Sequence, residues 1–217
     1  MYDAVMPRTG RPRSFDDDQV VQGALEIFWR RGFAATSLRD LKHELGVLPG
    51  SLYAAYGDKH ALFLRTLERY ADAAREQATE IAAEGPVLPR VRELLLSVLE
   101  AAQATPGRGC MLGNTAAELL PEDHVAGRLV RGGFAALETG LESALDAAQR
   151  SGEVGPDIDC AAHARLLLTL MQGLHVVARA EADPRRLADA IDAALAPLAV
   201  QHESGPSGPR ATPSALT

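Results

Sequence analysis

Residues 46–62 read GVLPGSLYAAYGDKHAL. Pro49 and the glycines interrupt helix-forming sequence, yet Tyr53 and Tyr56 sit between them on what must be a very short helix. A helix of about one and a half turns buries little and is marginal alone. Its surroundings give it a purpose. Upstream, Thr36 or Ser37 can cap a short helix carrying Leu38, Leu41 and Leu45, and Gly46 ends it. Helix, tight turn, short helix is the spacing of a helix-turn-helix, whose second helix only has to lie in a major groove. Leu38, Leu41, Leu45, Val47, Leu52 and Tyr56 can form the small core that fixes the pair. The same spacing also suits a plain αα-hairpin with solvated polar residues.

Working outward, helical spacing dominates and no convincing strand is found. Asp16 can cap a first helix whose apolar positions Val20, Val21, Ala24, Leu25 and Phe28 recur at three and four, and Gly32 after Arg30 and Arg31 stops it. Asp58 caps a long fourth helix expected to reach about Ala82. EGPVLP at 84–89 is the clearest boundary. Beyond it, helices are expected near 90–104, 110–120, 123–150, 159–180 and 184–199. The 159–180 segment is apolar around nearly its whole circumference, so one side faces its own domain and the other asks for a partner. The Pro/Gly/Ser-rich residues 201–217 read as a disordered tail.

Composition bounds the function. The chain has 217 residues, 47% hydrophobic and 24% charged, which is ordinary globular usage. No run approaches the roughly 20 apolar residues of a membrane span, and the first residues lack a secretory apolar core. Two cysteines give no disulfide framework, so a cytoplasmic, reducing setting is expected. The net charge of −7 opposes nucleic-acid binding only until it is divided. Residues 1–70 carry +1 and residues 71–217 carry −8. An acidic body bears an N-terminal region with locally clustered positive charge.

The stretch ALEIFWRRGFAATSLRDLKHELGVLPGSLYAAYGDKHALF resembles the DNA-binding domain of the TetR family of bacterial transcriptional regulators. The likeness covers about residues 14–70 without a gap and is carried by Phe28, Gly32, Phe33, Thr36, Ser37, Gly46, Val47, Leu52, Tyr53, Tyr56, Lys59 and Leu62. Leu48 stands where many members have a Ser or Thr cap, and Tyr56 replaces a common Phe. The resemblance implies an all-α chain in which an N-terminal helix-turn-helix domain, residues 14–60, is joined by a linking helix at 58–82 to a helical ligand-binding and dimerisation domain at 84–200. It further implies a repressor, a palindromic double-stranded DNA operator, a small-molecule effector, and a homodimer through the helices near 159–180 and 184–199.

Candidate DNA contacts are Thr36, Ser37 and Arg39, then Pro49, Gly50, Ser51 and Tyr53 on the short helix, and Lys59 at the start of the fourth. Ser51 suits a base edge or phosphate; Tyr53 and Lys59 suit phosphate. Residues 1–13 form a flexible basic arm whose Arg11 and Arg13 can enter a minor groove.

The second informative stretch is GRGCMLGNTAAELL, residues 107–120. It resembles a segment of a TetR subgroup in which some members sense electrophiles or oxidants through a cysteine. A helix start and the nearby Arg108 both favour a thiolate at Cys110; a small packed hydrophobe is the plainer alternative. Cys160 sits beside Asp157 and Asp159, which oppose ionisation. Cys110, Met111, Asn114, Glu118, Phe134, Met171 and His175 can line a largely apolar pocket with few polar groups. No metal-ligand spacing, P-loop, nucleophile elbow or dinucleotide fingerprint is found, so no cofactor is expected. An all-helical enzyme with a coincidental N-terminus is the alternative class.

Overall fold

The computed structural model describes residues 16–200 apart from 82, 84 and 182. Nine helices are assigned among them: α1 (Asp17–Arg31), α2 (Leu38–Leu45), α3 (Pro49–Tyr56), α4 (Lys59–Ile81), α5 (Val87–Ala104), α6 (Met111–Leu119), α7 (His124–Ser151), α8 (Cys160–Val177) and α9 (Pro184–Leu195). The chain is all-α; the sole extended pairing among the described residues is an isolated bridge between Val154 and Ala199. The arm with Arg11 and Arg13, and the tail beyond residue 200, lie outside the described residues.

Local chemistry sets most of the helix ends. The Asp16 carboxylate accepts from the Asp18 amide, and α1 closes with Arg30 and Arg31 before Gly32. Of the two possible caps of α2, Ser37 takes the position, in a reciprocal capping box with Asp40. Gly46 then turns the chain in the left-handed region, φ 66°, which a side chain would strain. Leu48 leaves α3 without a side-chain cap, and Pro49 occupies its first turn. Asp58, Asp123, Asp159 and Asp183 each accept from a backbone amide at the start of a later helix.

Three ends depart from expectation, one being α8, which stops at Val177 rather than near 180. Helix α5 starts at Val87, inside the EGPVLP boundary, because the Glu153 carboxylate accepts from the Val87 and Leu88 amides, each at 2.8 Å. Helix α9 stops at Leu195, yet Leu198 beyond it is buried.

The first three helices and the start of α4 enclose Phe28, Leu41, Leu52, Leu62 and Phe63. Phe28 meets Phe63 edge-on with centroids 5.2 Å apart. The Tyr56 hydroxyl donates to Asp17 at 2.6 Å, tying α3 to α1. Of the expected helix-turn-helix core, Leu41 and Leu52 are buried, while Leu38, Leu45, Val47 and Tyr56 pack half-buried around them.

Helix α4 then lies along α7, which in turn packs on α6 and α8, while α5 bridges α8 and α9. The approach of α4 to α7 is close at Gly140, where a Cβ would sit 2.6 Å from the Ala78 carbonyl oxygen. Helix α8, the segment read as apolar on two sides, buries Ala164, Leu167, Met171 and Leu174. It leaves Leu166, Val176 and Val177 exposed. By length and composition alone α8 is also apolar enough to cross a bilayer.

Gly140→Ala is expected to force α4 and α7 apart and to lower unfolding stability by about 1–3 kcal/mol. Urea denaturation followed by circular dichroism measures it; an unchanged midpoint would show that the two backbones do not touch there.

Candidate DNA-reading face and effector cavity

Helices α2 and α3 carry the face on which a duplex would lie. Arg39, Lys42 and His43 are exposed along α2, and among the described residues Arg39 and Lys42 have no ion-pair partner. Gly50 and Tyr53 are exposed on α3, Ser51 is half-buried, and Ser37 is exposed at the α2 start. Pro49 contributes the first α3 turn.

Two proposed contacts are placed otherwise. Thr36 is fully buried, and its hydroxyl donates to the Gly32 carbonyl at 2.7 Å, so it stabilises the α1–α2 turn rather than facing outward. Lys59 reaches into that same turn. Its ammonium donates to the Phe33 and Thr36 carbonyls, both at 2.9 Å, and lies 4.1 Å from the Phe33 ring centroid. It is chiefly a clamp on the turn. Lys42, not singled out from sequence, is the exposed lysine. The signal was available: it lies three residues after Arg39, at the edge of the helix face that carries Leu38, Leu41 and Leu45.

Behind this domain lies a cavity of about 600 Å³. Its walls come from five helices and one loop: Tyr70 and Ala74 of α4, Leu94 and Val98 of α5, Leu112 of α6, Leu137 of α7, Met171 and His175 of α8, and residues 108–110. Its remaining wall is unexpected. Trp29, from α1 beside the helix-turn-helix, lines the same cavity. Burial, with the Arg179 charge adding to it, lowers His175 to a pKa of about 4, so the ring is neutral at pH 7. Burial also pushes the Tyr70 hydroxyl up, the neighbouring Cys110 adding to it. Tyr70 therefore keeps its proton and donates it to the Cys110 sulfur 3.9 Å away.

Of the residues proposed for an effector, Cys110, Met171 and His175 line this cavity. Met111 does not; it is buried in the core at the start of α6. Phe134 packs half-buried against the core without lining the cavity. Asn114 is occupied locally, donating to the Arg108 carbonyl at 2.8 Å and accepting from Arg179 at 2.5 Å. Glu118 points the other way: its two carboxylate oxygens accept from the Phe33 and Ala34 amides at 2.9 and 2.7 Å. Cys160 is elsewhere, where burial pushes its thiol up, helped by Asp146 and Asp159. Among the described residues no group of three or more His, Cys, Asp or Glu is placed to hold a metal ion.

The cavity's loop is bonded directly to α1. The Trp29 indole N–H donates to the Gly109 carbonyl at 2.7 Å. Arg108 lays its guanidinium 3.5 Å from the Trp29 ring centroid and pairs with Glu26. Gly109 has φ +60°, a left-handed conformation that favours glycine where the indole docks, and the Arg179 guanidinium lies over it. A second seam lies nearby: His60 at the start of α4 contacts the Asp123 carboxylate at 2.6 Å. Burial raises the Asp123 carboxyl, but the Ala126 amide, His60 and the Val125 amide outweigh it and hold the group below the usual carboxylate range.

Comparison with known proteins agrees with this layout. Residues 20–66 match the family model described as bacterial regulatory proteins, tetR family, and residues 87–194 match the one described as tetracyclin repressor-like, C-terminal domain. The HTH-type transcriptional repressor ComR of Escherichia coli K12 is 31% identical over 182 residues, covering 82% of this chain and 86% of ComR. An uncharacterized HTH-type transcriptional regulator of Bacillus subtilis 168, YezE, is 32% identical over 192 residues, 87% of this chain and 99% of that protein. The chain belongs to the TetR family of transcriptional regulators. Among solved structures, a cysteine mutant of the TetR family regulator CifR, complexed with a 26-bp double-strand operator DNA, superposes with a TM-score of 0.73. It is 27% identical to this chain, and the match covers 87% of this chain and all of that one.

In this TetR protein the two matched segments meet at the seam just described. Trp29 and Phe33 lie in the N-terminal match, and Gly109 and Glu118 in the C-terminal one.

Lys59→Ala is expected to loosen the α1–α2 turn and lower stability by about 1–2 kcal/mol, since two buried-side carbonyls lose a charged donor. Lys42→Ala is expected to leave stability unchanged and to reduce the salt dependence of DNA binding by about one phosphate contact. Thermal melts and binding titrations at several salt concentrations separate the two; a reversed pattern would return the phosphate role to Lys59.

Proposed function

We propose that the protein is a ligand-responsive repressor that binds a palindromic operator as a dimer and releases it when the cavity fills. The observation that carries this reading is Trp29, which belongs to the DNA-reading domain and yet forms a wall of the cavity. An effector there touches the DNA-reading domain itself. It need not act only through the covalent link of α4.

The dimer is supported by α8. Leu166, Val176 and Val177 are 50%, 66% and 48% exposed on an otherwise buried apolar helix. Gly173 has open space where a Cβ would stand, leaving room for a second helix to approach. A partner α8–α9 pair covers that face, and the two α3 helices then meet successive major grooves about 34–36 Å apart or a multiple of it. The operator reading draws support from the CifR–operator complex, and the repressor reading from relatives named as repressors, ComR and BdcR of Escherichia coli K12. The two free cysteines fit a cytoplasmic setting.

The effector acts by preferring the arrangement that does not fit DNA. A hundredfold preference supplies about 2.7 kcal/mol, which turns an operator about 10:1 occupied into one about 1:10 occupied. Tyr70, Trp29 and the apolar residues of α5, α7 and α8 suit an apolar or aromatic molecule. A second reading is favoured by the place of Cys110, a residue lining the cavity: an electrophile adding there would occupy the same space covalently.

The purified protein is expected to sediment as a dimer at micromolar concentration and to prefer one palindromic duplex over its scrambled counterpart. Trp29→Phe keeps a ring but loses the bond to Gly109, worth about 1 kcal/mol, so it should shift the effector concentration for half-release by about fivefold. A monomer, or equal affinity for both duplexes, would overturn the reading.

N-Ethylmaleimide distinguishes the covalent route. Operator release by the parent and by Cys160→Ser, with retention by Cys110→Ser, is the pattern expected of it. Equal release by Cys110→Ser would leave reversible occupancy as the effector's mode.

A further inference from the structure

Leu48 is the most exposed of the large apolar residues described, at 68%. It occupies the N-cap of α3 in an extended conformation, φ −64° and ψ 140°, and makes no cap hydrogen bond. Ser, Thr, Asp or Asn at that position would satisfy a free helix amide. A leucine there forfeits the cap and also leaves a large apolar side chain in water. Pro49 presets the first α3 turn, but no described side chain caps it. The buried side of α3 is supplied by Leu52, and the residue after Pro49 is an exposed glycine at which an added Cβ would meet nothing within 4 Å. The surface at the α3 start is therefore an apolar side chain standing beside open backbone, with Tyr53 exposed one turn on.

The N-terminal residues of a recognition helix are the ones that meet base edges. In the major groove the base edges offer hydrogen-bonding groups and a single apolar one, the C5 methyl of thymine. We propose that Leu48 is a specificity-determining residue that reads a thymine methyl group in each operator half-site. This rests on the reading of the protein as an operator-binding dimer. A polar cap at this position would direct a hydroxyl to phosphate or to a base edge; the leucine replaces that contact with desolvation of one methyl group against another apolar surface.

The experiment begins by selecting the operator from random duplexes with the full-length protein. Each symmetric pair of thymines in the selected site is then replaced by deoxyuridine, which removes the methyl and leaves every hydrogen-bonding group. One pair is expected to be sensitive. Loss of one buried methyl should weaken binding about fourfold per half-site, or about fifteenfold for both. Leu48→Ala should bind the thymine and deoxyuridine duplexes equally. Because Leu48 is exposed, that variant should melt with the parent, and Leu48→Met should retain part of the discrimination. Specific binding in which no deoxyuridine pair weakens the parent overturns the role of Leu48 alone. So does an undiminished penalty in Leu48→Ala. If no sequence is enriched at all, the operator-binding reading falls, and this inference falls with it.

Discussion

The indole N–H of Trp29 and the carbonyl of Gly109 are 2.7 Å apart, and the bond joins two parts of the chain that have separate tasks. Trp29 is in α1, behind the helix-turn-helix; Gly109 closes the loop that precedes α6 and lines the cavity. The arrangement is demanding. Gly109 is left-handed and lies beneath the Arg179 guanidinium, while Arg108 covers the indole and meets Glu26. Tyr70 meets the indole edge-on at 4.8 Å and holds its own hydroxyl toward Cys110. In the proposed mechanism an effector in the cavity meets these groups directly, since Trp29, Tyr70 and residues 108–110 all line it.

Two further contacts make the coupling a surface rather than a point. The Glu118 carboxylate receives the Phe33 and Ala34 amides of the turn between α1 and α2, the same turn that Lys59 clamps through Phe33 and Thr36. His60 meets Asp123, which also caps α7. Each is a single bond or pair of modest net worth. In the proposed mechanism they hold α2 and α3 in place, and an effector that prefers another arrangement shifts them. Exposed single-contact ion pairs elsewhere, such as Arg165–Glu138 at 3.5 Å, contribute little.

What the sequence made legible was local. Asp16, Gly32, Gly46, Asp58 and Asp123 stop or start helices by bonding within a few residues of themselves, so their roles could be read from spacing. Other contacts join residues far apart along the chain, and spacing does not show them. Glu118 has the look of a pocket residue on α6 but bonds 84 and 85 residues away; Glu153 caps α5 from 65 and 66 residues away. Lys59 was read by its charge, and its position over Phe33 has no local signature. Trp29 lies one residue beyond Phe28 on a helix assigned wholly to DNA reading. Only packing α1 against the 105–110 loop reveals its second role.

Trp29 is the single tryptophan of the 217-residue chain, so its emission reports this seam without interference. The direct test follows an inducing compound, found by screening, as it is titrated into the protein–operator complex. Trp29 emission and the anisotropy of a labelled operator are read in the same sample. Coupling through the seam predicts one transition, with emission and anisotropy changing at the same midpoint. An operator released while Trp29 emission stays constant, or an emission change with the operator still bound, would contradict the account.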